Sequence, residues 1–248
     1  IKLAETDIWK EYAETRQIAS YETGEQSTLK LSSFLRICQD VSERHLALWG
    51  LPYEKLKEDG LVFLFARNGV SVSRMPFHRE KVKVSTSPHG SLGAQFYRSY
   101  TMTNAETGEV LAELNQASVI VDASTHKILR PRIFSQYGVQ IGETDGRFLE
   151  KIEVPEGMPL VGERPVYYSD LDYNGHLNNA IYADILCDFI PGGMMGQSLK
   201  EVQINYSSEC RFGDVLKLYA KEQDGAVYLC GEHERGGSFV CRAVKKGK

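Results

Sequence analysis

The chain lacks several signatures that would assign its chemistry at once. It carries no P-loop, no GxGxxG turn and no GxSxG elbow, which removes the phosphate-cradling loops and the serine-hydrolase nucleophile turn. No stretch approaches the ~18 apolar residues of a membrane helix. The densest runs, Leu61–Ala66 and Ala117–Val121, have strand length. There is no basic excess either: 29 Lys and Arg stand against 33 Asp and Glu, a net charge of −4, which speaks against a nucleic-acid partner. Cysteine is sparse and unclustered. Cys38, Cys187, Cys210, Cys230 and Cys241 form no CxxC pair and are odd in number, as expected of reduced thiols in a cytosol-like compartment. Five of the six histidines (His45, His78, His89, His126 and His233) are scattered, so His176 has no histidine partner at a ligand spacing, and neither a metal nor a cofactor is expected. The opening Ile1-Lys2-Leu3-Ala4-Glu5 has no basic-then-apolar pattern, so export is not expected. In such a compartment the sequon Asn205-Tyr206-Ser207 has no consequence.

What is present is an ordinary globular composition, 42% hydrophobic and 25% charged over 248 residues. That length allows one large domain or two of roughly 120 residues. Two segments read as helices. Leu31, Phe34, Leu35, Cys38, Val41 and Leu48 recur at helical spacing, with Thr28 as N-cap and Gly50 just past the end; Leu177, Ile181, Ile185 and Phe189 recur in steps of four until Pro191-Gly192-Gly193. Each follows a strand-like run, Gln17–Tyr21 and Pro165–Tyr168, and after each the period changes to two. Lys81–Thr86, Gln95–Thr103 and Glu109–Val121 read as strands in the first half; Val202–Tyr206, Val215–Ala220, Ala226–Cys230 and Ser238–Val244 do so in the second. Sliding Tyr21–Asp40 onto residues 169–188 matches Leu29 to Leu177 and Ile37 to Ile185, and Val70–Val84 falls on Ile204–Leu218 without a gap. The two registers differ, so the first half carries extra residues after its helix, around Leu51–Gly60. The chain therefore reads as an α+β unit in tandem: an N-terminal domain over 1–135, a linker over 136–149 containing Gly142–Gly146, and a C-terminal domain over 150–248.

The copies diverge where one of them holds chemistry. Asp172, Asn174 and His176 of the second half oppose Gly24, Gln26 and Thr28 of the first, and Ser208-Glu209-Cys210 opposes Arg74-Met75-Pro76. A loop leading into a helix offers unpaired backbone N–H groups, so Gly175 and His176 are oxyanion-donor candidates, with Gly175 allowing close approach of a ligand. Asp172 and His176 suit acid–base roles, Asn174 can orient a water or a carbonyl, and Glu209 can close the network. A bland role fits as well: Asp172 and Asn174 as turn and cap residues, Cys210 as a small buried hydrophobe.

Asp170-Leu171-Asp172-Tyr173-Asn174-Gly175-His176-Leu177-Asn178-Asn179, with Asn205-Tyr206 and Glu209-Cys210 downstream, resembles the acyl-[acyl carrier protein] thioesterases of plants and bacteria. Tyr21-Glu22-Thr23-Gly24, Arg67, Met75-Pro76 and Thr107-Gly108-Glu109 extend the likeness over the first half. The resemblance implies two hotdog domains, each a long helix wrapped by an antiparallel sheet. It implies hydrolysis of the thioester between a fatty acyl chain and the phosphopantetheine arm of acyl carrier protein, as in fatty acid biosynthesis. The acyl pocket would lie in the first half, set by Val62–Ala66, Met75 and the first helix. The catalytic residues carried over are Asp172, Asn174, His176 and Glu209, together with Cys210. Two schemes stand open, Asp172 as base or nucleophile and Cys210 as nucleophile; the neighbouring carboxylates, which raise a thiol pKa, favour the first. The related alternatives are an acyl-coenzyme A thioesterase, a hotdog dehydratase, and a non-catalytic acyl- or carrier-binding protein. The absence of a plastid-type extension points to a bacterial, cytoplasmic protein without membrane insertion. An acidic carrier calls for a basic docking face, and Lys127, Arg130 and Arg132 form the densest cluster away from Lys245, Lys246 and Lys248. Monomer and homodimer both remain open.

Overall fold

The computed structural model describes residues 10–144, 146 and 148–247; Lys248 and the Ile1–Glu5 stretch read for an export pattern lie outside the described residues. In chain order the elements are β1 (Tyr12–Gln17), α1 (Leu31–Leu48), α2 (Tyr53–Glu58), β2 (Leu61–Val72), β3 (Lys81–Leu92), β4 (Gln95–Asn104), β5 (Val110–Asp122), β6 (Ile128–Leu129), β7 (Leu160–Pro165), α3 (Ile181–Phe189), β8 (Leu199–Tyr206), β9 (Val215–Gln223), β10 (Ala226–His233) and β11 (Gly236–Lys245). All pairings between these strands are antiparallel, in the order β1-β3-β4-β5-β2-β8-β11-β10-β9-β7, with β6 beside β5. The two halves meet where β2 pairs with β8, Arg67 opposite Asn205 through Ser71 opposite Glu201.

The periodic residues behave as their spacing dictates. Leu31, Phe34, Leu35, Cys38 and Val41 are buried along α1, and Gly50 just beyond it takes the left-handed φ of +73° that ends a helix cleanly. One apolar core runs through both halves, joining α1 and α3 to strands on either side of the β2–β8 seam. A smaller core forms at the far side of the first half, where Phe134 packs against Phe63 and Phe96. The segment read as a linker contributes to it: Val139 is buried there, Ile141 packs against it, and Leu149 lies against Gly69, where an added Cβ would meet it at 2.6 Å.

Three expectations shift. The strands before the helices lie earlier than Gln17–Tyr21 and Pro165–Tyr168, because a 3-10 turn occupies Ser20–Glu22 and another Tyr168–Asp170. Thr28 does not cap α1; Lys30 holds that position without a side-chain bond, while Thr28 bridges to Phe77. The second helix begins at Ile181, not Leu177, since the Leu177 N–H bonds to Cys210 and the Asn178 N–H to Asp170, which draws both residues out of helical pairing.

Duplication extends to the side-chain contacts. Arg16–Glu22 recurs as Arg164–Asp170, with the acid closing its 3-10 turn in both. Glu80 accepts the Phe77 N–H at 2.9 Å, and Asp214 accepts the Arg211 N–H at 2.8 Å. The bridge of Thr28 to Phe77 recurs as His176 to Arg211, so His176 stands where the first copy has a threonine. No helix among the described residues is long and apolar enough to cross a membrane.

Hydrogen bonds from Arg74, with others from Phe77 N–H and Asn104, hold the Glu80 carboxyl down at about 2, against an ordinary 4.5. A depressed carboxyl stabilises the fold fully above its unfolded pKa and loses that contribution as pH falls through its folded one. Glu80→Gln is therefore expected to cost about 1–2 kcal/mol in urea melts at pH 7, with the gap from wild type closing between roughly pH 4.5 and 2. An unchanged gap at pH 2 would contradict this role.

Candidate active site

The loop between β7 and α3 is pinned from below. Arg164 donates from both terminal nitrogens to Asp170 at 2.8 Å, and the Asp170 carbonyl receives the Asn178 N–H at 2.9 Å. Within the loop the Asp172 N–H bonds to the His176 carbonyl at 2.8 Å and the Gly175 N–H to the Asp172 carbonyl at 3.0 Å. That tight turn puts Gly175 at φ +78°, a conformation that side chains disfavour. Asp172 then folds its carboxylate back over the turn. Its Oδ1 accepts the N–H of Asn174 at 2.8 Å and of His176 at 3.3 Å, while Oδ2 has no partner among the described residues. The carboxylate is thus fixed by one oxygen and presents the other.

His176 and Glu209 come together as expected, Nε2 to Oε2 at 3.3 Å, with both side chains about 30% exposed. The second oxygen of Glu209 takes Arg211 Nη2 at 2.7 Å, so the carboxylate is shared between the histidine and an exposed cation. Asn174 is held from the other half: Tyr53 OH donates to its Oδ1 at 2.7 Å, leaving the amide NH₂ as the free end. Tyr173 donates to Glu43 at 2.9 Å and its ring lies 4.4 Å from that of Tyr53. Burial and the neighbouring Glu43 carboxylate raise the Tyr173 pKa, keeping its hydroxyl a donor.

Cys210 stands apart from this group. It is fully buried, its thiol lies 2.9 Å from Ser238 Oγ and 3.6 Å from Tyr182 OH, and burial pushes its pKa up, the opposite of what a thiolate nucleophile needs. The oxyanion expectation at Gly175 and His176 also changes. Both N–H groups are spent inside the turn, on the Asp172 carbonyl and carboxylate, and the helix begins five residues after His176. Cys210, Asp214 and His233 bring metal-type ligand atoms within 4.8 Å of one another, but Arg235 already donates to both Asp214 oxygens at 2.6 and 2.9 Å and its N–H to His233 Nδ1 at 3.2 Å. The Asp214 oxygens are thus committed to a guanidinium, His233 Nδ1 to a backbone N–H and the Cys210 thiol to Ser238 and Tyr182.

Two cavities meet at the loop. A narrow chamber of about 150 Å³ runs through the first half between α1, β2 and β4, walled by Leu46, Trp49, Leu56, Phe63, Phe96 and Phe134. A wider groove of about 500 Å³ runs between the halves, lined by Leu64, Arg67 and Ile128 of the first and by His176, Glu209, Asn205 and Tyr206 of the second. Asp172, Asn174 and Asn179 line both, as do Phe63 and Phe65 next to the β2 bulge at Ala66. Of the expected Val62–Ala66 stretch, Val62, Phe63 and Phe65 line the chamber together with α1, while Leu64 and Ala66 line the groove and Met75 packs against the main core. Asn179 and Tyr53 were not singled out by the sequence reading. Asn179 ends the loop motif itself, and Tyr53 sits in the extra Leu51–Gly60 segment that the register shift exposes.

Family models match both halves: the acyl-ACP thioesterase N-terminal domain over residues 9–133 and the acyl-ACP thioesterase C-terminal domain over residues 158–243. A chloroplastic acyl-[acyl-carrier-protein] hydrolase of Cuphea viscosissima is 26% identical over 228 residues, 85% of this chain and 55% of that protein. The chain spans between 55% and 66% of the length of such curated relatives. Among solved structures, an acyl-ACP thioesterase from Bacteroides thetaiotaomicron superposes with a TM-score of 0.83 at 16% identity, covering 98% of this chain and 100% of the other. The 12:0-ACP thioesterase from Umbellularia californica gives 0.82 at 18% identity, covering 96% and 98%. The fold is the tandem α+β hotdog that the family resemblance implies.

Proposed function

This chain belongs to the acyl-ACP thioesterase family, and we propose on that basis that it hydrolyses acyl thioesters of acyl carrier protein to free fatty acid and carrier thiol. The observation that carries the reading is the Asp172 carboxylate, which lines both the chamber and the groove, anchored through Oδ1 by two backbone N–H groups and with Oδ2 unpartnered among the described residues. A thioester laid across that junction has its acyl chain in the chamber and its pantetheine arm in the groove.

The geometry supports the following chemistry. Asp172 Oδ2 accepts a proton from water as the water oxygen attacks the thioester carbonyl carbon. The free NH₂ of Asn174, turned to the junction by Tyr53, donates to the resulting oxyanion. Collapse of the tetrahedral intermediate breaks the C–S bond, and His176, oriented by Glu209, protonates the departing sulfur. Removing an acid–base group of this kind typically costs 10²–10⁴-fold in rate. Cys210 serves packing behind the site.

The carrier's acidic surface would meet the positive rim near the groove, where Lys151 and His126 line the opening and Lys127, Arg130 and Arg132 stand exposed. Five cysteines without a disulfide suit a reducing, cytoplasm-like compartment.

Asp172→Asn is expected to lower kcat for acyl-ACP hydrolysis by about 10²-fold or more, whereas Cys210→Ala keeps kcat within about threefold; near-wild-type turnover by the first, or collapse of the second with its fold intact, would contradict the assignment. The pair Arg130→Glu with Arg132→Glu is expected to raise KM for acyl-ACP about tenfold and to leave kcat/KM for acyl-pantetheine unchanged. Equal effects on both substrates would place docking elsewhere.

A further inference from the structure

The wall of the narrow chamber holds a guanidinium that the hydrolysis scheme does not use. Arg98, on β4 opposite Gln116 of β5, lines the chamber beside Phe96 and Tyr97. Its Nη1 lies 3.0 Å from His45 Nδ1 and donates to Thr86 Oγ1 at 3.1 Å, and its guanidinium carbon sits 5.7 Å from the centre of the Trp49 ring. No carboxylate among the described residues lies within ion-pair distance of it. The two acids of the chamber are engaged elsewhere, Glu43 by Gln39 and Tyr173, Asp172 by its own loop. Arg98 Nε and Nη2 make no hydrogen bond among the described residues and are not sealed buried atoms. With Nη1 held against the protein, they are the nitrogens left to meet a ligand in the chamber that Arg98 lines.

A deep guanidinium without a counter-ion is costly unless something else accepts its N–H groups. Burial accordingly lowers the Arg98 pKa. An unsubstituted alkyl chain threading past it would displace water and leave two charged donors unpaired. A chain with an oxygen at that depth satisfies them, and a hydrogen bond to a charged group is among the stronger ones.

We propose that the chamber is built for acyl chains bearing an oxygen function, a hydroxyl or oxo group, which Arg98 binds through Nε and Nη2. This rests on the reading that the chamber holds the acyl chain. Arg98 is then a specificity-determining residue, and the enzyme's substrates are the oxygenated members of the acyl-ACP series rather than its fully reduced ones.

The test is a set of acyl-ACP thioesters of one chain length with a hydroxyl at successive carbons, compared with the unsubstituted chain. At one or more positions kcat/KM is expected to exceed that of the unsubstituted chain by about tenfold or more. Arg98→Met should bring that ratio close to one and Arg98→Lys should retain part of it. Indifference of the wild type to every hydroxyl position overturns the proposal without any variant, as does a ratio that survives Arg98→Met. Calorimetric binding of the matching non-hydrolysable acyl-pantetheine amides separates this from the hydrolysis reading. A protein that prefers the hydroxylated amides but cleaves no acyl-ACP sinks hydrolysis alone; one that cleaves unsubstituted chains and ignores the hydroxyl sinks the Arg98 proposal alone.

Discussion

The pairing of β2 with β8 is the constraint on which the remaining geometry depends. Five residue pairs, from Arg67 opposite Asn205 to Ser71 opposite Glu201, fuse two antiparallel sheets into one and leave α1 and α3 sharing a single core. The seam also carries a buried chain of hydrogen bonds from one half to the other. Tyr100 donates to Gln116 at 3.0 Å, Gln116 to Asn68 at 3.0 Å, Asn68 to Tyr206 at 3.1 Å, and Tyr206 to the Asn179 carbonyl at 3.2 Å. Buried polar groups tolerate no slippage, because each one left unpaired costs on the order of 1–3 kcal/mol. The register between the halves is thereby locked, and with it the placement of a loop from the second half over a chamber in the first.

The two copies of the tandem fold differ at one loop, and that difference underlies the division of labour proposed for them. Both copies keep the ion pair and the acid-closed 3-10 turn that seat the loop, as Arg16–Glu22 and Arg164–Asp170. The difference lies in what the seated loop displays: a threonine facing Phe77 in one, a histidine facing Arg211 beside Glu209 in the other. The first copy in turn supplies apolar walls and the short α2, whose Tyr53 reaches across to Asn174.

Much of this was legible in the chain before any coordinates. Burial along α1 follows the spacing of Leu31, Phe34, Cys38 and Val41 because helical periodicity is a local property. Asp172, His176 and Glu209 stood out because the copies disagree there. The start of α3 was not legible, since Leu177 and Asn178 are claimed by Cys210 and Asp170, partners far along the chain or behind the turn. Backbone N–H groups at Gly175 and His176 look free in a motif and are spent in the folded turn. Cys210 follows Glu209 directly, yet the strand-end geometry turns one side chain toward the groove and the other into the core. Arg98 carries no local pattern; only the fold reveals it as a cation on an apolar wall.

The central claim is that one loop spans two cavities that receive the two sides of a thioester. A crystal structure with a non-cleavable thioether analogue of acyl-pantetheine tests this directly. The account expects the alkyl chain in the chamber between Trp49, Phe63 and Phe134, the sulfur beside Asp172, and the pantetheine arm leaving past His176 and Glu209. An alkyl chain lying in the groove, or a sulfur away from Asp172, would contradict it.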